Sequence, residues 1–286
     1  MIDTILVPTD GSDEAAVAVD HGLELAMRFN AAVHVLHVVD VRKMETAPDS
    51  DDARTSGEAL VDSIAEGARN QELSVTTAVR TGTPSECILQ YASKEDLDLI
   101  TMGTHGRTGV QRYLLGSVAE KVVRLSDIPV LTVRLSTERP QYFPYKNVLV
   151  PTDGSRGARG ATDWAITVAD AYGGTIHALS VTESAALGFD VRSSVQLEPM
   201  RGAAEDAVTA VVGAAHDAGL DATSTVSQGT PYKEILAYID EHDIDIVVMG
   251  THGRGDLDRY LLGSVAEKTV RTSPVPVMTI RPPDSD

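Results

Sequence analysis

The stretch Met102 to Lys121, MGTHGRTGVQRYLLGSVAEK, decides the reading because it occurs twice: Met249 to Lys268 read MGTHGRGDLDRYLLGSVAEK. The copies differ only at positions 108 to 111 against 255 to 258. In both, the glycines stand as G-x-x-G, then nine residues, then Gly-Ser: Gly103, Gly106, Gly116 and Ser117, and Gly250, Gly253, Gly263 and Ser264. A short apolar run leads in, Leu97 to Met102 and Ile244 to Met249, and a helical pattern leads out. A glycine-rich loop between a strand and a helix lets backbone N–H groups approach an anion, and the helix N-terminus adds partial positive charge. Each copy reads as a phosphate cradle for a nucleotide. Neither is a Walker A loop, because no Gly-Lys-Ser/Thr closes it.

Outward from the loop, the rest of the chain repeats as well. Ile2 to Pro8 is a short apolar strand ending in Pro-Thr-Asp-Gly-Ser, Pro8 to Ser12, and the pentapeptide returns at Pro151 to Ser155. Apolar residues at helical spacing follow over Asp13 to Phe29 and Ala158 to Tyr172. β-Branched runs come next, Ala32 to Val39 and Thr175 to Val181. Helices are expected over Ser56 to Asn70 and Met200 to Ala218, and strands over Ser74 to Val79 and Ala222 to Ser227. Gly82-Thr83-Pro84 and Gly229-Thr230-Pro231 then open further helices with Pro just inside. Each half ends in a strand, Pro129 to Arg134 and Pro276 to Arg281. A period this long means duplicated domains rather than a stacked array. Strands alternating with helices imply parallel βα units with right-handed crossovers. We expect domains at 1–138 and 145–286, joined by a linker at 139–144.

G-x-x-G, nine residues, Gly-Ser between a final pair of strands resembles the nucleotide-binding signature of the universal stress protein family, over nearly the whole chain and twice. The resemblance implies an α/β fold: two tandem Rossmann-like domains of the adenine nucleotide α-hydrolase-like kind, each a five-stranded parallel sheet flanked by helices, related by a pseudo-twofold. In the ATP-binding branch it implies one ATP (or ADP or AMP) site per domain, with Mg²⁺ as a possible companion. Carried over, the contacts are Pro8, Thr9, Asp10, Val38, Met102, Gly103, His105, Gly106, Arg107, Gly116, Ser117 and Val118. In the second half they are Pro151, Thr152, Asp153, Val181, Met249, Gly250, His252, Gly253, Arg254, Gly263, Ser264 and Val265. Val38 and Val181 would lie beside the adenine; by themselves they are strand residues.

Several of these residues have plainer readings. Asp10 and Asp153, directly after the first strand of each half, suit a nucleotide contact, a metal ligand, or a turn and cap opening the next helix. Ser117 and Ser264 precede Val-Ala-Glu, so S-x-x-E also makes a capping box with Glu120 and Glu267. A cap does not require the three glycines. His105 and His252 have no H-x-x-x-H or C-x-x-C companion, which favours local hydrogen bonds or phosphate contact over a metal or catalytic role. Arg107 and Arg254 suit phosphate oxygens or plain solvation. No residue of the loop or the PTDGS turn is an obvious general base with a partner orienting it. A nucleotide-binding stress or regulatory module therefore ranks above the alternative, a slow ATPase or phosphotransferase on the same sites.

Composition narrows the setting. The 286 residues hold 42 acidic against 24 basic side chains, a net charge of -18, spread over both halves. Nucleic acid is not expected as a partner, since no basic stripe meets a phosphate backbone. An acidic, Lys-poor surface suits a salt-rich, halophilic source, where repulsion is screened. One cysteine, Cys87, excludes an internal disulfide and reads as a small buried hydrophobe. No stretch reaches transmembrane length, and the N-terminus lacks a signal-peptide pattern, so a cytoplasmic location away from membranes is expected. The last strands, Val130 to Val133 and Val277 to Ile280, read as sheet edges expected to pair antiparallel within the chain as a pseudo-dimer, with a homodimer through another face also open.

The loops disagree at one place that matters: Gly109 and Gln111 become Asp256 and Asp258. Two added carboxylates near the phosphates disfavour a triphosphate unless salt or a divalent cation intervenes, the screening length falling to about 3 Å at 1 M. Without Mg²⁺ and at low salt, the first site should bind ATP more tightly than the second, and the gap should narrow as KCl or Mg²⁺ rises. Calorimetric titration of single-site variants checks this; equal affinities at low salt would refute it.

Overall fold

The structure, a computed structural model, describes residues 2–41, 50–106, 115–135, 143–182, 193–253 and 262–281. The chain divides into two compact units, Met1–Leu135 and Ser136–Asp286. In the first, β1 (Thr4–Thr9), α1 (Asp13–Phe29), β2 (Ala32–Asp40), α2 (Ser50–Arg69), β3 (Val75–Gly82), α3 (Pro84–Lys94), β4 (Leu99–Gly103), α4 (Ser117–Leu125) and β5 (Val130–Val133) follow in order. The second repeats it: β6 (Asn147–Pro151), α5 (Arg156–Tyr172), β7 (Thr175–Thr182), α6 (Ser193–Asp217), β8 (Ala222–Gln228), α7 (Pro231–Glu241), β9 (Ile246–Gly250), α8 (Ser264–Thr272) and β10 (Val277–Ile280).

Within the first unit the strand order is β3-β2-β1-β4-β5, and within the second β8-β7-β6-β9-β10. The strand pairs in each unit are parallel. The chain winds outward from β1 through β2 to β3, then crosses to β4 on the other side. The order therefore reverses between β1 and β4, and between β6 and β9, where doubly wound sheets hold their ligands. Both central strands are sealed: Ile5, Leu6, Leu99 and Ile100 have no exposure, nor do Val148, Leu149, Val247 and Val248. Burial on both faces explains why these strands read as continuous apolar runs rather than alternating ones.

Helix α1 shows why the amphipathic reading succeeds. Ala15, Ala18, Val19, Gly22, Leu25 and Ala26 are buried at helical spacing, and Ser12 caps the start by accepting from the Ala15 N–H at 3.2 Å. Asn30 closes it in the left-handed region at φ 54°. Helix α5 repeats the device with Ser155 on the Ala158 N–H and Gly173 at φ 58°. At the edge of the sheet away from the loops, Asp98 accepts from the N–H groups of Asp3 and Thr4, both at 2.9 Å, and so ties the start of β1 to β4. Asp245 does the same for Lys146 and Asn147 at 2.8 Å.

Two boundaries differ from expectation. Helix α2 begins at Ser50 rather than Ser56, and α6 begins at Ser193 and runs through Pro199, which the sequence suggests as a helix break. Pro199 has no N–H to contribute to that helix. Cys87 is half-buried, with burial and Glu86 pushing its thiol up, which fits an inert small side chain. Among the described residues, no helix is long and apolar enough to cross a membrane.

Burial pushes the His21 imidazole in α1 down from the ordinary 6.5 to about 3. The folded state refuses a proton that the unfolded chain accepts, so this contribution is intact above 6.5 and is lost as the pH falls toward 3. Between about pH 7.5 and about pH 5 the wild type should lose roughly 2 kcal/mol more stability than His21→Gln. Urea denaturation followed by circular dichroism at both pH values checks this; equal losses would refute it.

Candidate functional site

Each unit carries one cleft at its reversal point, about 230 Å³ in the first and about 290 Å³ in the second. Three segments meet there: the turn after β1 or β6, the end of β2 or β7, and the glycine loop with the start of α4 or α8. The sequence-derived residues Pro8, Thr9, Asp10, Val38, Met102, Gly103, His105, Gly106, Gly116, Ser117 and Val118 all line the first cleft. Their counterparts Pro151, Thr152, Asp153, Val181, Met249, Gly250, His252, Gly253, Gly263, Ser264 and Val265 all line the second. Arg107 and Arg254, like positions 109, 111, 256 and 258, lie outside the described residues.

The PTDGS turn serves two ends. Thr9 Oγ1 accepts from the Gly11 N–H at 3.2 Å, Asp10 Oδ1 accepts from the Ser12 N–H at 3.0 Å, and Gly11 takes φ 76°. The second unit repeats each bond, with Asp153 Oδ1 on the Ser155 N–H at 2.9 Å and Gly154 at φ 74°. Asp10 and Asp153 are thus turn residues through one oxygen, while the caps are Ser12 and Ser155. The other oxygen, Oδ2, faces the loop: a Cβ on Gly106 would collide with that of Asp10, and one on Gly253 would lie 2.9 Å from that of Asp153.

The loop is closed by backbone bonds. The Thr104 N–H donates to Val133 O at 2.9 Å, and the Gly116 N–H donates to Thr104 O at 2.8 Å. Thr251, Ile280 and Gly263 repeat this at 2.9 Å for both bonds. Gly116 and Gly263 sit at φ -63° and -58°, within reach of any residue. The requirement at Gly116 is therefore space: an added Cβ would lie 2.9 Å from Thr104 O.

The capping-box reading of Ser117 and Ser264 does not hold. Gly116 and Gly263 occupy the cap position, no side chain caps either helix, and the serines are already first helical residues. From there a serine hydroxyl no longer reaches the following N–H groups as a cap does. The Glu120 and Glu267 N–H groups instead donate to Gly116 O and Gly263 O, both at 2.9 Å. Each cleft therefore opens onto a helix start without a side-chain cap.

The histidines are half-buried in the loop. His105 Nδ1 lies 3.0 Å from Thr104 Oγ1 and 3.2 Å from Glu14 Oε2, and Glu14 Oε2 also accepts from the His105 backbone N–H at 2.7 Å. His252 Nδ1 lies 2.9 Å from Thr251 Oγ1. Both Nε2 atoms are buried with no hydrogen-bond partner among the described residues. Glu14 is a partner of His105 that the sequence reading does not name. It stands 91 residues away in sequence, and nothing in the motif points to it. Asp40 is a further missed lining residue. Strand period two, running Leu36, Val38, Asp40, gives a signal for it.

A doubly wound α/β unit with a glycine-lined cleft at its reversal point, present twice, is the class that fold and site define. The model of the universal stress protein family matches residues 1–134 and 144–281, and the chain belongs to that family. Universal stress protein MJ0531 of Methanocaldococcus jannaschii is 36% identical over 137 residues, covering 46% of this chain and 81% of that protein. Universal stress protein Rv2005c of Mycobacterium tuberculosis is 28% identical over 296 residues, 97% of this chain and 96% of that one. The crystal structure of a universal stress protein from Archaeoglobus fulgidus superposes at TM-score 0.76 with 24% identity, covering 99% of this chain and 100% of that one; it shares the two-unit fold.

The cap assignment has a measurable consequence. Ser12→Ala and Ser155→Ala should each cost about 1 kcal/mol in unliganded protein, whereas Ser117→Ala and Ser264→Ala should cost less than about 0.5 kcal/mol. Denaturant titration of the four variants checks this; a full cap penalty at Ser117 would refute it.

Proposed function

We propose that each unit binds one adenine nucleotide, ATP or its di- or monophosphate, and that occupancy of the two sites is what the chain signals. The observation that carries this reading is the pair of buried, unpartnered imidazole nitrogens, His105 Nε2 and His252 Nε2, at equivalent places beside uncapped helix starts. Buried polar atoms are normally paired, and an anion in the cleft supplies a partner for the nitrogen and for the backbone donors together. The cleft's other end is apolar, with Leu36, Val38 and Ile88 in the first unit and Leu179, Val181 and Ile235 in the second. That end suits a flat base. Among the described residues no three His, Cys, Asp or Glu side chains gather into a metal cage; a Mg²⁺ ion would arrive on the phosphates.

Gly116→Val and Gly263→Val should each remove about one bound ATP from a wild-type stoichiometry of about two, because the added side chain fills the space beside the loop carbonyl. Calorimetry gives the count, and mass spectrometry of acid-released material identifies nucleotide carried through purification. An unchanged stoichiometry in either variant would refute the cradle. Multiple-turnover phosphate release would move the reading toward the ATPase alternative.

A further inference from the structure

His105 and His252 occupy equivalent places, but their surroundings on the Nδ1 side differ. In the second unit Nδ1 faces the Thr251 hydroxyl. A hydroxyl can donate as well as accept. Its other acceptor, Ile280 O, lies farther off at 3.4 Å, so it can donate to Nδ1 at 2.9 Å and leave the ring's single proton on Nε2, and a neutral His252 then offers an N–H to an anion. In the first unit Nδ1 also has a hydroxyl beside it, Thr104 Oγ1 at 3.0 Å, but it faces Glu14 Oε2 at 3.2 Å as well, and that oxygen accepts from the His105 backbone N–H at 2.7 Å and from the Thr104 hydroxyl at 3.4 Å. An ionised carboxylate only accepts, and with the single Thr104 hydroxyl proton directed to that carboxylate, Nδ1 is left facing two acceptors and carries the ring proton. The neutral ring then leaves Nε2 as a bare acceptor, which repels a phosphate oxygen. A second ring proton removes the conflict: an imidazolium donates to Glu14 on one side and to phosphate on the other.

The difference traces to one position. Counting from the caps Ser12 and Ser155, Glu14 corresponds to Gly157. Each backs the same loop glycine: a Cβ on Gly103 would meet the Glu14 backbone at 3.1 Å, and one on Gly250 would meet the Gly157 backbone at 2.7 Å. Among the described residues, the other charged groups that line the first cleft are Asp10 and Asp40, and both are carboxylates. The lining residues from α3 and α4, Pro84, Ile88, Ser117, Val118 and Ala119, carry no charge.

We propose that the first site takes up a proton together with its phosphate-bearing ligand and the second does not, because Glu14 holds the ring proton of His105 on Nδ1. This rests on the nucleotide reading above and couples binding at the first site, not the second, to a proton: its affinity relative to the second rises as pH falls. Glu14 is a positioning residue, acting through His105.

The test is ATP calorimetry on the two single-site chains, Gly263→Val and Gly116→Val, at about pH 7.5 in buffers of different ionisation enthalpy. Because the ligand is the same, its own titration cancels. The first site should take up close to one proton more per ATP than the second. Glu14→Gln in the Gly263→Val chain should remove that excess, since an amide is uncharged and can donate. A second measurement uses no substitution: ¹⁵N spectra of histidine-labelled full chain with ATP should show both ring nitrogens of His105 protonated and His252 neutral. Equal proton counts, an excess that survives Glu14→Gln, or a neutral His105 in the complex overturns the proposal alone. Failure of either site to bind ATP overturns the nucleotide reading and the proposal with it.

Discussion

The close approach of β4 to the first turn of α1, repeated by β9 and α5, is the contact on which both clefts depend. A Cβ on Gly103 would press on the Glu14 backbone, and one on Gly250 would sit 2.7 Å from the Gly157 carbonyl carbon. At Gly250 there is no room for a side chain without a backbone shift, and at Gly103 the neighbouring backbone would have to give by a few tenths of an ångström. That approach brings the turn after β1, the loop after β4 and the start of α4 around one space. The parallel sheet supplies the rest: with order reversing between β1 and β4, helices leave on either side and a crevice opens at the strand ends.

The charges around that crevice set its chemistry. The chain is strongly acidic, and carboxylates reach the cleft at Asp10 and Asp40. Among the described residues, attraction for an anion comes from backbone amides at an uncapped helix start and from a histidine nitrogen. Backbone donors are held by the fold and cost little side-chain entropy to arrange. The two units share this arrangement but differ in the residue behind the histidine, Glu14 in the first and Gly157 in the second.

By itself the sequence determined the two-unit organisation, the α/β class and most of the cleft lining. Each rests on local signals: a repeated motif, apolar periodicity, Gly-Thr-Pro helix openings. Asp13 to Phe29 illustrates the point, since its spacing and its polar flanks both fix the helix the structure contains. Helix starts without a sharp signal were less legible; Ser50 and Ser193 open α2 and α6 several residues early. Only the tertiary structure decided that Gly116 rather than Ser117 takes the cap position, because the Gly116 N–H is held by Thr104 O across the loop. It alone placed Glu14 on His105, a contact made when the sheet brings the ends of β1 and β4 side by side. Spacing along a chain reports which face a side chain shares with its near neighbours. It carries no record of which distant carboxylate the fold will set against an imidazole.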